Sequence, residues 1–210
     1  MSGVSDAPRD PPREARPYRM SKRAELVDET RQRIVDATVR LHQSIGLRAT
    51  TVAAVAAEAG VTRLTVYRHF PDEKTLVAAC SSHWLSMQRL PDPAAWGRIA
   101  DPEARLRTGL ADIYRFYRAG HDMLQHVYAD LDVLPDPIRQ RIEERDAAFA
   151  DVLIAPLRPG RNRRLTRAVL AHVIAYATWR SLCAEHGVSD AEAVRIMSAL
   201  VMTVSAGGVR

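Results

Sequence analysis

The stretch from Thr51 to Lys74, TVAAVAAEAGVTRLTVYRHFPDEK, constrains this chain more than any other. Ala56 occupies a place where two crossing helices tolerate a side chain no larger than methyl. Gly60, four residues on, supplies the left-handed backbone that other residues resist. Val66 closes the core beneath that turn. Thr51 and Thr62 carry hydroxyls that can cap two short helices, which the spacing predicts to end near Ala59 and His69. The second of these presents Thr62, Arg63, Thr65, Tyr67, Arg68 and His69, all hydrogen-bonding residues with no acid among them. The pattern reads as a helix-turn-helix whose exposed face suits an anionic partner such as DNA.

The rest of the chain reads as helices with marked ends. Val27, Ile34, Val35, Leu41 and Ile45, with Thr30 and Thr38 filling the stripe, recur at helical spacing from about Ser21 to Gly46. Pro71 and Asp72 stop one helix and start another that runs through Leu76, Cys80, Trp84 and Met87 toward Leu90. A break is expected at Pro91 to Ala95. Asp101 with Pro102 gives a cap followed by a first-turn proline, opening a helix to Gly120. His121 to Leu134 follows, then Asp136 with Pro137 repeats the cap-and-proline start for a helix to about Leu157. Arg158 to Arg164, RPGRNRR, reads as a basic loop. Leu165 to Glu185 and Ala191 to Ala206 form the last two helices, with Gly187 ending the first and Ser189 and Glu192 spaced as a capping box for the second. No β-alternation of useful length occurs, so the fold class is all-α.

Three parts follow: an arm over 1–20, a helix-turn-helix domain over 21–71 and a helical domain over 72–210. The arm holds Pro8, Pro11, Pro12 and Pro17 among Arg and Asp and little that is apolar, so it cannot repay its ordering entropy and is expected to be flexible. Its basic residues Arg9, Arg13, Arg16 and Arg19, with Lys22 and Arg23 beyond it, could follow a DNA backbone or minor groove, or remain a solvated tail balanced by Asp6, Asp10, Glu14 and Glu25.

A hydrophobic content of 47% over 210 residues supports a real core. The net charge of +5 is compatible with nucleic acid but decides little, because 30 basic residues meet 25 acidic ones. Two cysteines, Cys80 and Cys183, make neither a metal spacing nor a disulfide framework, as in a reducing cytoplasm. No apolar run follows the first basic residues, and no segment approaches the roughly 20 apolar residues that span a bilayer. A cytoplasmic protein without membrane contact is expected. No glycine-rich phosphate loop, nucleophile elbow, metal motif or Ser/His/Asp spacing points to an enzyme, and no cofactor is expected.

The residues Thr50 to Leu76, TTVAAVAAEAGVTRLTVYRHFPDEKTL, preceded by RQRIVDATVRLHQSIG at Arg31 to Gly46, resemble the TetR family of transcriptional regulators. The resemblance covers about a quarter of the chain; beyond it only helix count and spacing agree. It implies that Arg63 and Thr65 face base edges in the major groove, Arg63 able to pair bidentately with guanine and the threonine methyl able to touch thymine. It also implies that Thr51, Tyr67 and His69 hold phosphates, with Lys74 or Arg68 adding another such contact. The chain departs from the family where Glu73 precedes Lys74, and at Val52, where some relatives read bases with arginine; base reading then leans on Arg63.

By the same resemblance, Trp84, Trp96, Tyr114, Tyr117, Tyr128, Phe149, Tyr176 and Trp179 lie on helices surrounding one cavity, whose ligand would be small and largely apolar or aromatic. Plain core packing is the competing reading for each. His121, His126 and Asp130 share a helical face, read as a hydrogen-bonded edge rather than a metal site. His172 with Tyr176 reads as a core or pocket pair. The apolar Val169, Val173, Tyr176, Ile196, Met197, Leu200, Val201 and Val204 exceed one stripe, so one face of the last two helices is expected to bury against a second copy as a four-helix bundle.

These expectations combine into a homodimeric regulator, a repressor released from a palindromic DNA operator by a small-molecule effector. The alternative is a helical ligand-binding or adaptor protein without regulatory DNA binding.

Overall fold

The computed structural model describes residues 15–157 and 163–207. Among them every regular element is helical: α1 (Ala15–Ile45), α2 (Val52–Ala59), α3 (Arg63–His69), α4 (Glu73–Ser86), α5 (Pro93–Gly97), α6 (Pro102–Ala119), α7 (His121–Ala129), α8 (Asp136–Ile154), α9 (Arg163–Ile174), α10 (Tyr176–Trp179) and α11 (Asp190–Ser205), with a 3₁₀ turn at Leu131–Val133 and a π turn at Arg180–Glu185. No described helix is long and apolar enough to cross a membrane.

Local chemistry sets most ends. The hydroxyls of Thr51 and Thr62 accept from the backbone N–H groups of Ala54 and Thr65, and Asp72, Asp92 and Asp101 cap α4, α5 and α6 in the same way. Ser189 and Glu192 form the reciprocal capping box of α11. Gly60 sits at φ +65°, with the Val61 N–H bonded to the Ala56 carbonyl at 2.9 Å. Nothing lies within 4 Å of where its Cβ would stand, so glycine is needed there for conformation and not for space.

The structure departs from the sequence reading in several places. Helix α1 is already formed at Ala15, ahead of Ser21; the first part of the expected arm, residues 1–14, lies outside the described residues, as do residues 158–162 of the basic loop. Val27 and Ile45 face solvent, and Ala37, Val39 and His42 join Thr38 on the inner face of α1. The expected break at Pro91 to Ala95 contains α5, started by Asp92 and Pro93. Pro135 occupies the N-cap position of α8 with no side-chain cap bond, and Asp136 pairs with Arg139 within the first turn instead of capping it.

Leu165 to Glu185 is not one helix. It breaks at Ala175, where the backbone turns extended. The break would leave buried carbonyls without helical partners, a cost of roughly 1–3 kcal/mol each. The Tyr114 hydroxyl donates to the Val173 carbonyl at 2.8 Å and the Tyr117 hydroxyl to the Ile174 carbonyl at 2.7 Å. The Thr178 hydroxyl donates to the His172 carbonyl at 2.5 Å.

Two hydrophobic cores result. One joins Ile34, Val35, Ala37, Val55, Ala56, Ala59, Val66, Phe70 and Leu76 beneath the helix-turn-helix. The other gathers Val39, Cys80 and Trp84 with the helices from α5 onward, around α6. Helices α1 and α4 contribute to both.

At the joint between them, Gly46 follows α1 at φ +83°, and a Cβ there would meet His126 Nδ1 at 2.9 Å and Asp130 Oδ2 at 3.1 Å. Gly46→Ala is therefore expected to destabilise the protein by more than the about 1–2 kcal/mol of a left-handed alanine. Gly60→Ala should show only that conformational cost. Urea unfolding of both variants checks the ordering.

Candidate nucleic-acid interface and interior cavity

Helix α3 exposes Arg63, Leu64, Tyr67 and Arg68, the i, i+1, i+4, i+5 set of one face, while Val66 and the capping Phe70 are buried. The Arg31 guanidinium lies 4.4 Å from the Phe70 ring centre. Thr62 is exposed at the N-cap. Thr65 and His69 sit half-buried on the flanks, and the Thr65 hydroxyl lies 2.9 Å from that of Thr62. Burial, with the cations of Arg68 and Arg31 close by, holds the His69 imidazole below its ordinary value, so it presents neutral N–H at neutral pH.

Thr51 and Lys74 line one open groove of about 630 Å³ between the helix-turn-helix and the C-terminal body, together with Arg48, Glu73 and Asp136. Thr51, Thr62, Arg63, Tyr67, Arg68 and Lys74 are thus accessible at the N-terminal end of the molecule. The sequence reading had no place for Leu64, which is 72% exposed. Its position next to Arg63 and four residues before Arg68 places it on the same face, but its exposure there does not follow from that spacing.

The joint beside the groove is ionic. The backbone N–H of Arg48 donates to Asp130 at 3.1 Å, and the guanidinium reaches both Asp132 oxygens at 2.7 Å. A second tie runs between α1 and α4, where His83 Nε2 stands 3.0 Å from the Asp36 carboxylate.

The eight aromatic residues do not encircle one void. Of them only Trp84 lines the cavity of about 90 Å³ that lies between α1, α4, α6, α7 and α8. Its walls are chiefly Val77, Leu85, Phe116, Met123, Leu124 and Ile138, with His42 and Arg145 as polar members. The other seven are occupied within the core. Tyr114 and Tyr117 serve the α9 carbonyls, Trp179 Nε1 donates to Asp190 at 2.9 Å, and Trp96 Nε1 donates to Asp112 at 3.2 Å. Tyr128 stacks on Tyr176 at 4.6 Å and accepts from Arg145 at 2.8 Å, and Phe149 meets Trp96 edge-on at 5.1 Å. The competing core reading describes these seven, because the polar handles that made them pocket candidates already have partners.

Tyr176 bonds His121 at 2.8 Å, not His172, whose ring faces the Thr178 hydroxyl at 3.4 Å. Asp130 is taken by Arg48, and no group of three or more His, Cys, Asp or Glu converges as a metal site among the described residues.

Residues 34–80 match the family described as bacterial regulatory proteins, tetR family. Over 74 residues the chain is 38% identical to the HTH-type transcriptional regulator SrpR of Pseudomonas putida, a stretch that covers 34% of this chain and 35% of that protein. The match thus spans about a third of the curated relative's length. Among solved structures, a tetR-family transcriptional regulator from Streptomyces coelicolor superposes with a TM-score of 0.61 at 18% identity, covering 87% of this chain and 84% of that one. The transcriptional regulator FadR of Bacillus subtilis, solved in complex with stearoyl-CoA, superposes with a TM-score of 0.57 at 17% identity over 84% of this chain and 98% of its own. At these identities the likeness is one of fold.

His42, buried in the cavity wall with Nδ1 at 3.4 Å from Cys80 Sγ, is held down to about 4, chiefly by burial, against an ordinary value of 6.5. The unfolded chain therefore binds a proton that the folded chain refuses. The stabilisation is complete above the unfolded value and is lost as pH falls from about 6.5 toward 4, by up to about 3 kcal/mol. Urea unfolding at pH 7 and 4.5 should show this loss in the wild type and a smaller one in His42→Leu; equal losses would place the sensitivity elsewhere.

Proposed function

We propose that the chain is a regulator of the TetR family, whose model matches residues 34–80, and that it acts as a homodimeric repressor that leaves a palindromic operator when a small, largely apolar or aromatic molecule binds its C-terminal body. The observation that carries this reading is the exposed, acid-free face of α3, with Arg63 and Arg68, held on a compact helix-turn-helix core. Arg63 and Thr65 read bases. Thr51, Thr62, Tyr67, Arg68, His69 and Lys74 fix register through phosphates. The divisions 1–20, 21–71 and 72–210 serve as arm, reading domain and effector domain.

Two copies pair through α9 and α11. Their outer faces carry Leu165, Ile196 and Leu200, exposed by 43%, 46% and 39%, while Val173, Val201 and Val204 turn inward, as does Tyr176 on α10. Such a ridge suits a four-helix bundle across a two-fold axis. The dimer must hold its two reading helices about 34–36 Å apart to enter successive major grooves on one face of B-DNA.

The cavity beside Trp84 supports the effector part of the reading. A volume of about 90 Å³ is well below that of a drug-sized site, so a ligand enters by pushing its walls apart. Those walls include His42 and Leu47 near the end of α1 and Val77, Cys80, Trp84 and Leu85 on α4. An opening cavity therefore tilts the two helices that carry the reading domain. Ligand and operator then weaken each other reciprocally, because each prefers a different spacing. FadR in complex with stearoyl-CoA is consistent with an apolar guest in a body of this shape.

Selection of random duplex DNA should return an inverted repeat. Arg63→Ala should lose about 1–3 kcal/mol at one base pair per half-site and relax preference there. A uniform loss over all sequences would reassign Arg63 to the backbone. Leu200→Asp should yield monomers by sedimentation and abolish operator binding at concentrations where the wild type is bound. A ligand that fills the cavity, found by thermal shift against a panel of apolar and aromatic compounds, should weaken the operator complex; unchanged operator affinity under saturating ligand would remove the proposed switch.

A further inference from the structure

Leu64 is the most exposed large apolar side chain among the described residues, at 72%, and it stands in the middle of the face that every neighbour makes polar. At about 100° per residue, the exposed side chains of α3 fall in the order Arg63, Tyr67, Leu64, Arg68 over an arc of roughly 140°. Leu64 lies inside that arc, on the side away from Val66, which is buried. Tyr67, beside it, is half-exposed, so the neighbouring ring leaves most of the leucine in water. Scattered surface leucines are ordinary. This one is flanked on both sides by groups that fit an anionic duplex.

The floor of the major groove offers one apolar group, the C5 methyl of thymine. From this placement we infer that Leu64 is a specificity-determining residue that packs on a thymine methyl in each half-site. The inference rests on the DNA-reading role proposed above. Leucine has no donor for a phosphate, so its contribution is tied to one base step and insensitive to salt, unlike those of Arg68 and Lys74. It also relieves Thr65 of being the sole methyl-reading residue, since the Thr65 side chain is drawn toward the Thr62 hydroxyl at the helix start.

The test uses the full-length protein and the operator recovered by selection, with each thymine replaced in turn, symmetrically in both half-sites, by deoxyuridine. That change removes the methyl and keeps the hydrogen-bonding edge. The wild type should weaken about four-fold per half-site at one position, roughly fifteen-fold for the symmetric pair. Leu64→Ala, at an exposed position in a helix and with a residue that favours helix, should keep the wild-type melting temperature. It should bind the thymine operator more weakly, with an unchanged salt slope, and no longer distinguish thymine from uracil at that position. Persistence of the wild-type uracil penalty in Leu64→Ala, or wild-type indifference to every uracil on an operator that it binds tightly, would overturn the inference and leave DNA reading intact. Failure of the wild type to bind any duplex in dilute buffer would instead overturn DNA reading itself, and this inference with it.

Discussion

Helices α1 and α4 are each buried in two cores at once, and the rest of the architecture depends on this sharing. Ile34, Val35 and Ala37 face the helix-turn-helix while Val39, further along the same rod, faces the larger body; Leu76 and Cys80 divide α4 in the same manner. A helix transmits displacement along its length because its backbone bonds resist bending. The helix-turn-helix is therefore not a bead on a string. Trp84 and Leu76 lie about two turns apart on the same helix, one in each core. The Arg48 to Asp130 and Asp132 contacts add a tie on the other side of the groove. Its contribution to stability is small because the Arg48 side chain is exposed, so it serves as a positional stop.

The larger body uses its aromatic residues differently from what their identities suggest. A tyrosine or tryptophan on an inward helix face invites a pocket reading because its polar end needs a partner. Here the partners come from the fold. The α9 carbonyls released at Ala175 occupy Tyr114 and Tyr117, and the carboxylates of Asp112 and Asp190 occupy Trp96 and Trp179. Asp190 also receives Arg118 at 2.6 Å, joining α6, α10 and α11 at one point. The interior space falls beside aliphatic side chains of α4, α7 and α8 instead.

What was legible in the sequence followed the range of the interaction. Helix ends fixed by a residue and its neighbours three positions on, at Thr51, Thr62, Asp72, Asp101 and Ser189, could be read directly. The same rule applied to Asp92 and Pro93 would have found α5, which the surrounding prolines concealed. The break at Ala175 is held only in part by a nearby residue, Thr178, and mainly by hydroxyls some sixty residues earlier in the chain, which no local pattern signals. Val27 and Ile45 matched the helical period but met no neighbour to bury them. The cationic face of α3 was legible because its residue types alone define it. Leu64 was not, since exposure of an apolar side chain depends on the absence of packing partners that periodicity cannot supply.

The three tryptophans differ in a way that bears on how the protein can be watched. Trp96 and Trp179 are locked to carboxylates inside the core, whereas Trp84 borders the cavity, edge-on to Phe116 with ring centres 6.0 Å apart. A guest entering there touches a single indole of the three. The protein thus carries its own optical probe on a helix shared by its two cores, and the emission of that one ring would report a change in the interior space without any attached dye.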